Sequence, residues 1–309
     1  MRRAAHRGRV ALRVALVLSL VSGCGGGGTR TSPTAAAPHR PPVAHRSVAP
    51  AVLTLRAALS KQFALAGSSS GGAVYDLTDH QQLFSLRDGI ARPPASVEKL
   101  YTSVALLRAL GPSATFQTSV LGSGFLSARG VWHGDLYLKG GGDPTFGDGG
   151  FNTVWEQGYG PTAGQLASQL RAAGVHRVTG HLIGDGSIFD DRPGPPSSGF
   201  APDIADVGGE LAGLTYDHGT TAPGWPTAPA FAAHELALTM KSDHVQVRAA
   251  RSPGSAPSGA RTLATVSSPT LSVLLKLMDV PSDDFLAEML TKQLGVRAGR
   301  VARRRPGPP

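Results

Sequence analysis

Ser96 and Lys99 stand three residues apart in Arg92-Pro-Pro-Ala-Ser-Val-Glu-Lys99. A serine hydroxyl is a weak nucleophile until a neighbouring base takes its proton, and a desolvated lysine amine can be that base. The spacing places the two side chains on one face of a helical turn. The unpaired N–H groups of such a turn also favour a developing anion. A plainer reading exists, in which Ser96 only caps a helix and Lys99 is a surface charge. Ser-x-x-Lys is too short a pattern to decide between them.

The elements that would hold this pair can be read on either side of it. Pro93 and Pro94 stop the preceding segment and favour an extended entry. Val97, Leu100, Tyr101, Val104, Leu107 and Leu110 then recur at three- and four-residue spacing, which predicts a helix burying that face, ended by Gly111-Pro112. Upstream, a helix is expected over Ala51 to Ala66 (Val52, Leu55, Leu59, Phe63), followed by short strands at Ala73–Asp76 and Gln82–Ser85. Downstream, strands are expected over Thr115–Leu121, Gly134–Lys139 and Arg177–Gly184. Helices are expected over Pro161–Ala173, Phe231–Met240, Val266–Met278 and Phe285–Leu294. The run Gly140-Gly-Gly-Asp-Pro144 lacks the spacing of a phosphate cradle and reads as a turn needing positive φ.

Composition narrows the function classes. The chain has 309 residues and a formal net charge of +9, enough length for two domains or one with an insertion. The positive charge gathers at the two ends, and the stretch between is close to neutral. That distribution argues against a nucleic-acid footprint. The histidines do not cluster, so neither a metal site nor a cofactor fingerprint is expected. His-Glu-x-x-His is absent from the sequence.

Residues 1–23 read as an export signal, with Arg2, Arg3, Arg9 and Arg13 before the apolar run Val14–Val21. The signal ends at Val21-Ser22-Gly23-Cys24, which resembles the lipobox of bacterial lipoproteins. Cys24 is the only cysteine, so it has no internal disulfide partner, and lipidation there would tether the protein to the outer face of the cell membrane. Residues 24–50 have the Gly, Pro, Ser and Thr content of a disordered tether.

Three stretches together, Ala95-Ser-Val-Glu-Lys99, Gly134-Asp-Leu-Tyr-Leu-Lys-Gly-Gly-Gly-Asp-Pro144 and Ser282-Asp-Asp-Phe-Leu-Ala-Glu-Met-Leu290, carry a resemblance. The chain resembles the D-alanyl-D-alanine carboxypeptidase/endopeptidase family of class C low-molecular-mass penicillin-binding proteins, from about Val52 to Gly295. The resemblance implies an α/β fold of the α+β type, an antiparallel sheet flanked by helices and interrupted by a large inserted β-rich region. Residues 51–112 and 262–296 would form the penicillin-binding domain, 113–261 the insertion and 297–309 a disordered basic tail. It implies that Ser96 is the nucleophile, Lys99 its general base and Ser282 the relay to the leaving amine, with no cofactor. The implied partners are a peptidoglycan stem peptide, β-lactam antibiotics as covalent inhibitors and the membrane through a lipid anchor, and not nucleic acid.

Two departures from the family pattern shape the expectation. The second motif is Ser-x-Asn in the family, whereas here Asp284 takes the third place, and an ionised carboxylate accepts hydrogen bonds but cannot donate them to a substrate carbonyl. No Lys-Thr-Gly occurs in the sequence, so the family's third motif, half of an oxyanion hole, is absent. A C-terminally truncated, impaired enzyme is therefore the expectation. The alternatives are a catalytically inactive cell-wall lipoprotein and a β-lactamase, which shares the Ser-x-x-Lys chemistry.

Overall fold

A computed structural model describes residues 49–249 and 253–299. The export signal, Cys24, most of the tether and the end of the basic tail lie outside these residues. The chain divides into two compact units, the first ending at Ala91 and the second starting at Arg92.

In the first unit, α1 (Pro50–Leu65) precedes the antiparallel hairpin β1 (Gly72–Asp76) and β2 (Gln81–Leu86). Val52, Leu55, Leu59 and Phe63 are the half-buried residues expected from their spacing. Phe63 stacks on Phe84 with ring centroids 5.6 Å apart, joining helix and hairpin through an aromatic pair.

The second unit contains two cores. The first is built on a five-stranded sheet of order β6-β5-β4-β3-β7, comprising β3 (Gln117–Leu126), β4 (Val131–Lys139), β5 (Arg177–Asp185), β6 (Gln246–Ala249) and β7 (Arg261–Ser267). β3 runs antiparallel to β4 and β7, whereas β4–β5 and β5–β6 are parallel. Parallel neighbours need crossovers. α3 (Gly149–Trp155) and α4 (Ala163–Ala172) lie in the first, and α5 (Ala228–Ser242) in the second. A complete capping box at Thr162 and Gln165 starts α4. Trp132, Leu136 and Leu138 alternate toward a face that also buries Leu166, Leu170, Leu236 and Met240. Gly122 leaves room for the Trp132 ring, since a Cβ there would come within 2.3 Å of it.

The second core joins three helices, α2 (Lys99–Leu110), α6 (Leu271–Asp279) and α7 (Asp284–Arg297). Leu106, Leu274, Met278, Phe285, Met289 and Leu290 are its centre. Here α2 departs from the sequence expectation. Its buried residues are Lys99, Ser103 and Leu106, whereas Val97, Leu100, Tyr101, Val104 and Leu107 are exposed, Tyr101 to 71%. Periodicity identifies which residues share a stripe, but packing against α6 and α7 selects the neighbouring face. β6, β7 and α3 were not anticipated. β7 occupies the start of a stretch read as one long helix, because Val266 fits either period.

The glycine loop after β4 is held as a turn, with Gly142 at φ 76°. It carries Asp143, which is buried. Asp143 Oδ1 accepts from the Thr145 N–H at 2.8 Å and from Thr145 Oγ1 at 2.7 Å, while Oδ2 is buried without a hydrogen-bond partner. Desolvation pushes its carboxyl up to about 7, against the two hydrogen bonds and helped by the charge of Glu156. Asp217 is likewise pushed up to about 7, first by desolvation.

Two outcomes follow from this packing. Leu106→Ala should destabilise the fold by about 2–5 kcal/mol, whereas Val104→Ala should stay within about 0.5 kcal/mol, measured by urea unfolding. A folded carboxyl that binds its proton more tightly than the unfolded one contributes fully below the unfolded pKa of 3.8, and that contribution fades as pH rises toward about 7. Stability should therefore decline between about pH 4 and pH 7, by up to about 4 kcal/mol from Asp143. Asp143→Asn keeps the Oδ1 acceptor and should flatten the decline, leaving the share due to Asp217. An unchanged pH dependence of the unfolding midpoint would show that Asp143 is ionised throughout.

Candidate active site

Ser96 lies in a short 3₁₀ turn, Ala95–Glu98, and Lys99 opens α2 directly after it. The Lys99 N–H donates to the Ser96 carbonyl, and in this tight turn residues three apart nearly eclipse. Ala95 takes a left-handed φ of 48°, which turns the chain out of the proline pair. The two residues differ in exposure. Ser96 is open to solvent, and Lys99 is 8% exposed. An exposed hydroxyl thus stands three residues before an amine that water reaches poorly.

Ser282 comes from the turn between α6 and α7 and has a φ of 65°. Left-handed backbone costs a serine roughly 1–2 kcal/mol, so the surroundings must hold it. The Asp283 N–H donates to the Met278 carbonyl at 2.8 Å. The Asp283 side chain caps α7 by accepting from the Leu286 N–H at 2.7 Å. The turn is thereby pinned on both sides of Ser282.

These turns meet at the Lys99 amine. Lys99 Nζ donates to Ser282 Oγ at 3.3 Å and to Asp284 Oδ1 at 2.5 Å. Lys99 is 183 residues from Ser282, so only folding brings them together. The structure thus unites Lys99, Ser282 and Asp284. Ser96 neighbours Lys99 along the chain and is bonded to it through the backbone, but among the described residues no hydrogen bond joins the Ser96 hydroxyl to the Lys99 amine or to Ser282. Asp284, the residue that departs from the family pattern, is ion-paired with the amine. Its side chain is more than half exposed, so solvent screens the pair.

Several residues that sequence reading passed over support this arrangement. Ser103, one turn below Lys99, donates to Asp279 Oδ2 at 2.9 Å, linking α2 to the end of α6. Gln293 Nε2 donates to the carbonyls of Gly141 and Gly142 at 2.6 and 3.1 Å, tying α7 to the glycine loop. A Cβ on Gly142 would lie 2.2 Å from that Nε2, and its φ is one that glycine favours. Lys292 Nζ donates to Asp190 Oδ1 at 2.5 Å and to the Arg192 carbonyl at 2.9 Å. Glu288 lies half-buried on α7. Desolvation raises its pKa, opposed by the charges of Lys292 and Lys99 and reinforced by those of Asp284 and Glu98. The sequence signal for Ser103 and Glu288 was their four-residue offset from Lys99 and Asp284. Phe285 stacks on His218 at 4.6 Å, and His218 pairs with the buried Glu156, so the α7 terminus also rests on the sheet-bearing part of the unit. Among the described residues, no group of three or more His, Cys, Asp or Glu side chains is placed to hold a metal ion.

Known proteins resemble this chain in sequence and in fold. A D-alanyl-D-alanine carboxypeptidase of Actinomadura sp. (strain R39) is 34% identical over 129 residues, covering 42% of this chain and 22% of that protein. A carboxypeptidase of Mycobacterium tuberculosis is 30% identical over 272 residues, covering 84% of this chain and 55% of the relative. The chain therefore spans at most about half the length of these curated relatives. Penicillin binding protein 4 of Haemophilus influenzae superposes with a TM-score of 0.57 at 16% identity, covering 78% of this chain and 66% of that one. The same protein complexed with a β-lactam gives 0.52 at 18% identity, covering 78% and 64%. The mixed α/β architecture is thus that of a penicillin-binding fold. The profile of the D-Ala-D-Ala carboxypeptidase 3 (S13) family matches residues 52–207 and 224–305, which is most of the sequence, and the chain belongs to that family.

Proposed function

We propose that this chain carries the acyl-transfer site of a serine-type D-Ala-D-Ala carboxypeptidase or endopeptidase acting on peptidoglycan stem peptides. The observation that carries the reading is the approach of Lys99 Nζ to Ser282 Oγ at 3.3 Å, which brings the first and second motifs together across the α2–α7 contact. In this reading the neutral Lys99 amine takes the Ser96 proton as Ser96 Oγ attacks the carbonyl before the terminal D-alanine. The proton passes through Ser282 to the departing amine, leaving an acyl-enzyme that water hydrolyses. β-Lactams would acylate the same oxygen. They are expected as covalent inhibitors, and a penicillin binding protein of this fold has been observed with a β-lactam.

The second motif holds the site back in this reading. The Asp284 carboxylate favours a charged partner amine and offers the substrate no donor. The 2.5 Å pairing of Lys99 with Asp284 also favours a second reading, a cell-wall-associated protein that keeps the fold without turnover. In both readings Cys24 anchors the protein by lipid outside the cytoplasm. No helix of the described residues is long and apolar enough to cross a membrane.

Labelling the full chain with a fluorescent penicillin separates the two. Under the enzymatic reading wild type should be labelled, Ser96→Ala should lose the label completely, and Asp284→Asn should label roughly tenfold faster. No labelling in wild type or Asp284→Asn would favour the inactive protein. Equal rates for wild type and Asp284→Asn would remove the role given to the carboxylate.

A further inference from the structure

The end of β5 and the start of α5 border a cavity that the proposed chemistry does not use. It holds about 750 Å³ and is closed by the loop after β5, by residues 210–212 and by residues 253–255. That volume is typical of a small-molecule site. Ser96, Lys99, Ser282 and Asp284 are not among its lining residues. Phe189, Leu211 and Pro229 give it an apolar wall.

The polar groups of the cavity arise from an unusual cap. Thr227 is the N-cap residue of α5, yet its side chain makes no capping hydrogen bond. Glu210 does so in its place, Oε2 accepting from the Ala228 N–H at 3.1 Å. The Thr227 hydroxyl is left buried without a hydrogen-bond partner. Glu210 is 8% exposed, and its second oxygen, Oε1, has neither a hydrogen bond nor an ion pair among the described residues. Asp185, 1% exposed, accepts only from backbone, the N–H groups of Ser187 at 2.9 Å and Ala256 at 2.8 Å. Of the lining acids, Asp190 alone is ion-paired among the described residues, with Lys292. A buried carboxylate with no cation beside it is costly, and so is a buried hydroxyl with no partner. Both costs fall on adjoining groups that line one cavity.

We propose that this cavity is a binding site for a small molecule bearing a primary ammonium on an apolar body. The ammonium has three donors. One goes to Glu210 Oε1 and one to Thr227 Oγ1, while the apolar body lies against Phe189 and Leu211. The carboxylates of Asp185 and Asp191 favour the same sign of charge. The inference is independent of the acyl-transfer reading, and its test involves no acylation.

The test is calorimetric titration of the full chain with phenethylamine, beside 2-phenylethanol and 3-phenylpropionate as neutral and anionic counterparts of similar shape. Phenethylamine should bind with roughly millimolar affinity, as suits so small a probe. The alcohol should bind at least about tenfold more weakly, and the acid should not bind. Glu210→Gln keeps an acceptor for the Ala228 N–H and should weaken amine binding about tenfold or more, and Thr227→Val roughly threefold or more. The comparison of probes on wild type needs no variant to fold. In methyl NMR spectra the amine should shift the resonances of Leu211 and Ala212, which line the cavity. Absence of amine binding would overturn the inference. So would equal affinity for the amine and the alcohol, preference for the acid, undiminished binding by a folded Glu210→Gln, or shifts confined to methyls outside the cavity.

Discussion

One amine holds two distant parts of the polypeptide in register. Lys99 is almost fully buried, and its Nζ reaches Ser282 and Asp284 on a turn that belongs to another pair of helices. A buried ammonium without partners is costly, and partners that ionise or donate determine what the amine can do. The rest of the second unit can be understood as the means of bringing that turn to that amine. Leu106 and the apolar faces of α6 and α7 supply the packing, and the Ser103–Asp279 bond fixes the lateral position of the helices.

The same pairing sets the chemical tension of the site. An amine intended as a base must give up its charge, and every nearby carboxylate resists that. Asp284 is the carboxylate that reaches the Lys99 amine directly. Water moderates the effect, because Asp284 is more than half exposed. The backbone carries its own cost at this place. Ala95 and Ser282, each adjacent to or within a motif, both take left-handed angles. Such angles persist where surrounding hydrogen bonds over-determine them, here the Met278 carbonyl and the Asp283 cap.

Beneath the helices, the sheet-bearing part of the unit contributes support. Gln293 grips the glycine loop, Phe285 lies on the ring of His218, and Lys292 holds the loop after β5. One helix, α7, thus touches the Lys99 amine at its first turn and the loops of the sheet at its third. The buried Asp143 in the glycine loop makes that support sensitive to pH, because its proton is held by desolvation.

What could be read before folding was whatever depends on near neighbours. The Ser96–Lys99 spacing, the half-buried face of α1, most strands and helices, and the positive φ within the glycine run all arise from interactions a few residues long. Three ordered motifs were enough to identify the family, since their chemistry restricts residue types even where the fold is unseen. What the tertiary structure decided was which of two adjacent faces α2 buries, where β6 and β7 join the sheet, and that Lys99 pairs with Asp284 as well as Ser282. Hydrophobic period marks a stripe as apolar without specifying what will cover it, and a short apolar run fits strand or helix alike. The meeting of an amine with a carboxylate 185 residues away depends on the path of all the chain between them, which no local pattern contains.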